Sequence, residues 1–140
     1  MAEMFDELEL AHEQALTTAP QGRVNLSPKG MDTLRVLSPK KITCLDLIGS
    51  GNKTAAHALI DDRITLLFCS FGRSALILRI YGHARSVEPR DAEWQDLRHR
   101  FGQFLGVRQI FVINMDAVQT PCGYSVPQME LVAERQTLVK

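Results

Sequence analysis

The sequence has little that points to a membrane, to secretion or to a disulfide-stabilised fold. It contains no stretch of about 18 consecutive apolar residues, the length needed to cross a bilayer. Its first residues are acidic and lack the basic and then apolar order of a signal peptide. Its cysteines, Cys44, Cys69 and Cys122, are far apart and form no C-x-x-C pair, so neither a disulfide framework nor a zinc site is indicated. We therefore expect a cytoplasmic protein without membrane contact.

An excess of charge of either sign is also missing. The 16 Lys and Arg residues balance the 16 Asp and Glu residues. A neutral chain has no general electrostatic attraction for nucleic acid, so we expect no nucleic-acid partner. The chain is long enough for a real hydrophobic core, and no repeat or linker divides it. Residues 1–140 are therefore expected to form a single domain.

Signatures of several enzyme classes are absent from the sequence. There is no G-x-S-x-G motif, the G-S-G-N segment lacks the third glycine of a dinucleotide fingerprint, and the histidines share no metal-ligand spacing. We therefore expect no metal site. A hydrolase built on Ser27 or Ser50 with His57 and Asp46 stays open as an alternative, although no local motif supports it. Cys122 lies in a turn with no base or cation beside it, so a nucleophilic role is not indicated.

What the sequence does contain is a series of strand-like segments. Apolar runs predict strands over residues 23–26, 31–37, 42–48, 63–71, 74–87 and 109–118. Helical spacing predicts helices over residues 3–16, 52–59, 89–105 and 127–135. Residues 71–74 are typical of a hairpin turn, and Gly82 is typical of a bulge or a close backbone approach. Strands joined mostly by short loops favour an antiparallel sheet that closes into a barrel.

Two polar motifs flank the strand predicted at 42–48. They are Asn25-Leu26-Ser27-Pro28-Lys29-Gly30 and Gly49-Ser50-Gly51-Asn52-Lys53-Thr54. Both offer hydroxyls, a lysine and amides that glycine leaves accessible, and these are the groups that hold a phosphate. The helix predicted to begin at Asn52 would add the positive field of its first amides. The pattern therefore predicts one anionic ligand held from two sides. The alternative is that both motifs are ordinary β-turns.

These residues resemble the pyridoxamine 5′-phosphate oxidase family of flavin-binding split β-barrel proteins. The resemblance rests on the two polar motifs together with Leu45-Asp46-Leu47, Leu78-Arg79-Ile80-Tyr81-Gly82 and Cys122-Gly123-Tyr124, and it covers roughly residues 22–138. Within the family, the sequence is most similar to a subfamily that carries the motifs N-x-S-P-K-G and G-S-G-N.

The resemblance implies a mainly β fold with flanking helices, a six-stranded antiparallel split β-barrel. It also implies a homodimer with FMN at the subunit interface. In the family the flavin phosphate is held by a lysine that ends one strand and by a Ser-rich turn after the next. The cofactor-binding residues expected here are Asn25, Ser27, Lys29, Ser50, Gly51, Asn52, Lys53 and Thr54.

The function that the resemblance implies is that of an FMN-dependent oxidoreductase acting on a small-molecule substrate. A non-catalytic dimeric module of the same fold, with or without flavin, is the alternative. Three features differ from the relatives. The segment at residues 15–19 is short and polar, as if much of the N-terminal strand of the relatives were missing here. The relatives also continue beyond the position that corresponds to Leu138. Lys53 stands where the subfamily has an acid, and a basic residue there favours phosphate binding.

Overall fold

The computed structural model describes residues 11–17, 21–49, 52–133 and 135, and the first of these ranges through its backbone only. The strands are β1 (Ala11–Thr17), β2 (Asn25–Lys29), β3 (Leu34–Ser38), β4 (Lys41–Leu47), β5 (Arg63–Ser70), β6 (Ile77–Val87) and β7 (Val107–Gln119). The helices are α1 (Asn52–Ala58), between β4 and β5, and α2 (Trp94–Arg98), between β6 and β7. None of the helices in the described ranges is long and apolar enough to span a membrane.

The strands form one 7-stranded sheet in the order β2-β1-β5-β6-β7-β4-β3, and each neighbouring pair is antiparallel. The two edge strands, β2 and β3, follow one another in the chain, and only residues 30–33 join them. An extended link of this length spans at most about 17 Å, whereas the edges of a flat sheet of this size lie about 29 Å apart. The sheet must therefore curl until its edges approach each other, which gives the barrel that the strand pattern predicted.

Alternation along the strands divides the core into two clusters. The first consists of Ile42, Cys44, Ile64, Leu66, Phe68, Leu78, Ile80, Ala84, Phe111, Ile113 and Met115. The second includes the buried face of α2 and consists of Leu45, Val87, Trp94, Leu97, Phe101, Ile110 and Val112. Strand β4 contributes to both clusters, because Ile42 and Cys44 lie in the first and Leu45 lies in the second. Asp46 is the one charged residue in its buried stretch.

The helix predicted over residues 3–16 is wrong at 11–16, and residues 3–10 lie outside the described part of the chain. Strand β1 pairs with β2 on one side and with β5 on the other. Backbone hydrogen bonds to a strand on each side outweigh a local preference for helix, and one of these strands, β5, is distant in sequence. The structure thus has a strand where the sequence indicated that much of one was missing.

Most of the first polar motif is a strand, so the strand predicted over residues 23–26 continues where the motif was expected to turn. Asn25 to Lys29 form β2, and Pro28 stands opposite Gln14 of β1. Proline has no N–H to donate, and an edge strand with one neighbour tolerates this loss. The chain turns only after Lys29, where Met31 adopts a positive φ of 64°. The lysine is thereby held at the end of a paired strand.

The helix predicted over 89–105 is limited to α2. Its apolar stripe is nevertheless core, because Trp94, Leu97 and Phe101 are buried in the second cluster. Arg98 explains the early end of the helix, since its Nη1 donates to the carbonyls of Phe101 at 3.1 Å and Gly102 at 2.9 Å. A side chain that bonds these carbonyls stabilises a turn in place of further helix.

The helix predicted over 127–135 is also wrong within the described residues. This segment is irregular, and the N–H of Met129 donates to the carbonyl of Phe71 at 3.0 Å. It therefore lies against the turn between β5 and β6. That turn is the hairpin that residues 71–74 predicted.

Gly82 has the close backbone approach that the sequence indicated. The register between β6 and β7 shifts between Tyr81 and Gly82. A Cβ atom on Gly82 would lie 2.1 Å from the carbonyl oxygen of Asn114 on β7. The position therefore requires the absence of a side chain.

We expect Gly82→Ala to lower the free energy of unfolding by about 1–3 kcal/mol, because β6 and β7 must move apart to admit the methyl group. Urea denaturation measures this loss. Gly72→Ala is the matched control, since its Cβ would meet only the Ser70 hydroxyl, at 3.9 Å. Equal free energies of unfolding for the two variants would show that β6 and β7 can move apart without loss of stability.

Candidate functional site

The predicted cofactor residues lie on two elements that meet in the fold. Strand β2 carries Asn25, Ser27 and Lys29, and the first turn of α1 carries Asn52, Lys53 and Thr54. Ser50 and Gly51 lie outside the described residues. Helix α1 contacts β2 directly, as well as β1 and β6.

A hydrogen bond joins the two motifs. Asn25 Nδ2 donates to Thr54 Oγ1 at 2.9 Å, across 29 positions of sequence. Thr54 is fully buried, at 0% exposure, so its hydroxyl would be costly to leave without a partner. The bond fixes the start of α1 against β2, and it therefore sets the distance between the two motifs.

A buried carboxylate forms the centre of this region. Asp46, at the end of β4, is 0% exposed. Its Oδ1 accepts a hydrogen bond from Lys29 Nζ at 3.0 Å, and its Oδ2 accepts from Arg108 Nη2 at 3.1 Å and from Gln109 Nε2 at 2.9 Å. We call these four residues the Asp46 cluster. It links β2, β4 and β7.

Arg108 connects the Asp46 cluster to the second motif. Its Nη1 donates to Asn52 Oδ1, at the first residue of α1. Its Nε is buried and has no hydrogen-bond partner in the described part of the chain. The described residues therefore leave this guanidinium incompletely satisfied, and a buried donor without an acceptor costs about 1–3 kcal/mol.

The Asp46 cluster carries a surplus of positive charge. Lys29 and Arg108 supply two cations, and Asp46 supplies one anion. The carboxylate is needed in this position, because removing one partner from a buried ion pair typically costs about 3–5 kcal/mol. Lysine has three donors and arginine five, so neither cation is saturated by Asp46. The cluster can therefore bind a further anion.

Of the predicted residues, Lys29 belongs to the Asp46 cluster, and Asn52 lies beside it through its contact with Arg108. Lys53 is exposed and takes no part in the Asp46 cluster. Sequence reasoning missed Arg108 and Gln109 and considered Asp46 only in the hydrolase alternative and in the family motif, although an acid is an exception in an apolar strand. That exception was the available signal, because an acid inside a buried strand requires cationic or N–H partners.

The environment of Asp46 differs from that of a carboxylate in a catalytic triad. Its hydrogen bonds come from two cations and an amide, whereas a triad carboxylate orients a histidine. The hydrolase alternative therefore loses its acid.

The three cysteines differ in exposure. Cys44 is buried, Cys69 is half-buried, and burial raises the pKa of the Cys69 thiol. Cys122 is exposed.

His83 lies in a second polar cluster, on the outer surface of β6. Its Nδ1 is 2.7 Å from Asp62 Oδ1, and its Nε2 is 3.1 Å from Asp116 Oδ2. The hydrogen bond and charge of Asp62, with the weaker fields of Asp116 and Asp61, raise the pKa of His83. The described residues contain no group of His, Cys, Asp and Glu side chains arranged to hold a metal ion. The cluster instead joins β6 to β7 and to the loop before β5.

Comparison with curated proteins finds a clear relative. The chain is 33% identical over 128 residues to the pyridoxamine 5′-phosphate oxidase family protein ustO of Aspergillus flavus, and the match covers 87% of this chain. It covers 51% of ustO, so the chain spans about half the length of the curated relative that it matches. No family model matches the chain.

Solved structures share the fold. HupZ of Group A Streptococcus superposes with a TM-score of 0.65 at 18% identity, over 93% of this chain and 98% of HupZ. An FMN-binding protein from Syntrophomonas wolfei gives a TM-score of 0.56 at 14% identity, over 77% of this chain and 75% of that protein.

The heme storage protein HutZ of Vibrio cholerae gives a TM-score of 0.57 at 17% identity, over 88% of this chain and 96% of HutZ. Such low identities show the fold alone. The predicted fold class is confirmed, with seven strands in the sheet where the resemblance implied six.

We expect His83→Gln to lower stability at acidic pH and to have little effect at alkaline pH. Because folding raises the pKa of His83 above its ordinary value of 6.5, its contribution is fully present below that value. The contribution disappears as the pH rises through the higher pKa of the folded state. Urea denaturation at about pH 5.5 and pH 8.5 measures both limits. His99→Gln, at an exposed position after α2, is the control. A difference that is independent of pH would contradict the assignment.

Proposed function

The chain is related to the pyridoxamine 5′-phosphate oxidase family, and from this premise we propose that it binds FMN as a homodimer and acts as a flavin-dependent oxidoreductase. The phosphate of FMN binds beside Lys29 and the first turn of α1. The substrate is a small molecule. The catalytic chemistry belongs to the flavin, and the chain supplies the binding site.

One observation carries this proposal. The motifs that the sequence singled out are joined by the bond from Asn25 to Thr54. Asp46, which holds Lys29, is connected to the start of α1 through Arg108. Ordinary surface turns would not bring a lysine, a buried acid and a helix start together. The arrangement supports a binding site over the alternative that both motifs are simple turns.

The residues present fit the phosphate end of FMN. Lys29 and Arg108 against Asp46 leave one net positive charge, which attracts an anion. The buried Arg108 Nε is a donor that finds no acceptor among the described residues. A phosphate oxygen is the type of acceptor that an arginine prefers.

The alternative is a dimeric module of the same fold without turnover, with or without flavin. An absorption spectrum of the freshly purified protein separates the possibilities. Flavin bands are expected, and reduction of those bands by a nicotinamide donor supports an oxidoreductase. Bound flavin that no donor reduces supports the non-catalytic module. A heme spectrum, as the relationship in fold to HutZ would allow, contradicts the proposal.

We expect Lys29→Ala to weaken FMN binding by about 10- to 150-fold. A hydrogen bond to a charged group contributes about 1.5–3 kcal/mol, and about 1.4 kcal/mol corresponds to a tenfold change in affinity. Riboflavin lacks the phosphate, so its affinity should differ little between the wild type and the variant. Titration of both ligands by flavin fluorescence measures the four affinities.

Lys40→Ala is the matched control for this titration. Lys40 is exposed in the turn between β3 and β4, away from the Asp46 cluster. In Lys29→Ala, Asp46 keeps Arg108 and Gln109 as partners. Equal FMN affinities of the wild type and Lys29→Ala would rule out Lys29 as a phosphate ligand.

We expect light scattering at micromolar concentration to give twice the monomer mass of 15.7 kDa. The surface next to the proposed site offers apolar area to a second subunit, because Val24 is 62% exposed and Leu26 50% exposed at β2, and Leu59 is 81% exposed after α1. A mass near that of the monomer would rule out the homodimer.

A further inference from the structure

Arg108 makes contacts on both sides of the proposed phosphate site. One terminal nitrogen donates to buried Asp46 and the other to Asn52 at the start of α1. The side chain is 22% exposed, so it is held in place while still reaching solvent. An arginine fixed by two neighbours loses little freedom when it binds a ligand.

A third nitrogen of Arg108 takes no part in these two contacts. Its Nε is buried and finds no acceptor within the described ranges of the chain. Native proteins satisfy nearly all buried polar groups, so a donor that the described residues leave unpaired has capacity for one more acceptor. Because the group is a charged donor, the partner that suits it is an anionic oxygen.

Lys29 lies across Asp46 from Arg108. It bonds Oδ1 of the carboxylate, and Arg108 bonds Oδ2. Two cations that share one buried anion are held close together against their mutual repulsion. A second anion with several oxygens relieves that repulsion and accepts from both side chains.

We propose that Arg108 is a phosphate-binding residue and that Asp46 positions it together with Lys29. The ligand is a phosphomonoester, which carries two negative charges and several acceptor oxygens. This inference deepens the proposed function and rests on it for the identity of the ligand as FMN. It adds a residue from β7 to a site that the sequence motifs placed on β2, on the turn at Ser50 and Gly51, and on α1.

The test compares Arg108→Lys and Arg108→Met with the wild type. Arg108→Lys loses the Nε donor and the planar fork but keeps a cation for Asp46. It therefore tests the same role if Arg108→Met does not fold. Arg90→Lys is the control, because Arg90 is exposed and pairs with Glu88 outside the site. FMN and riboflavin are titrated into each protein, and thermal melting is recorded with and without inorganic phosphate.

We expect Arg108→Met to weaken FMN binding by about 10- to 150-fold, the range for one charge-assisted hydrogen bond, with riboflavin little changed. Arg108→Lys should show a smaller loss in the same direction. Inorganic phosphate should raise the melting temperature of the wild type and of Arg90→Lys more than that of either Arg108 variant.

The outcomes separate this inference from the proposed function. Weaker FMN binding in Lys29→Ala but not in either Arg108 variant would overturn the role of Arg108 and leave the function in place. A wild type that binds no FMN but is stabilised by phosphate through Arg108 would overturn FMN as the ligand and keep the anion site. Absence of both effects would overturn both.

Discussion

The ion cluster around Asp46 is the interaction on which the architecture depends. A carboxylate with no exposed surface is unfavourable unless charged or N–H donors surround it, and here a lysine, an arginine and a glutamine do so. The donors come from β2 and β7, while Asp46 ends β4. The acid therefore specifies which strands must lie together at this point, and a rearranged sheet would leave it buried without partners.

This constraint acts together with the short link between the edge strands. Residues 30–33 prevent β2 and β3 from separating, and Lys29, immediately before the link, is bound to β4. The sheet consequently closes through side chains where it has no backbone ladder. Helix α1 reaches the same region, because Asn25 holds Thr54 and Arg108 holds Asn52. The ends of the barrel strands and the start of a helix are thus fixed around one polar centre.

The same centre explains how a neutral protein can have a site for an anion. Over the whole chain the charges cancel, but Lys29 and Arg108 exceed Asp46 by one charge at a position with little solvent. Electrostatic attraction is stronger in such surroundings than at an open surface. A local surplus of this kind favours a small anionic ligand over an extended polyanion. This is consistent with a phosphate-bearing cofactor.

The sequence by itself determined three things: the main strands, the need for glycine at position 82, and the relationship to the family. The strands were evident from the apolar runs at 42–48, 63–71, 74–87 and 109–118. These features follow from local periodicity and from motifs of adjacent residues. Only the tertiary structure decided that residues 11–17 form a strand, that the first motif is extended, and that the helix at 89–105 is short. The grouping of Asp46 with Lys29 and Arg108 was also beyond sequence reasoning, because the partners lie 17 and 62 positions away. Strand pairing and charge pairing are satisfied across the fold, and no local pattern records which distant residue supplies the partner.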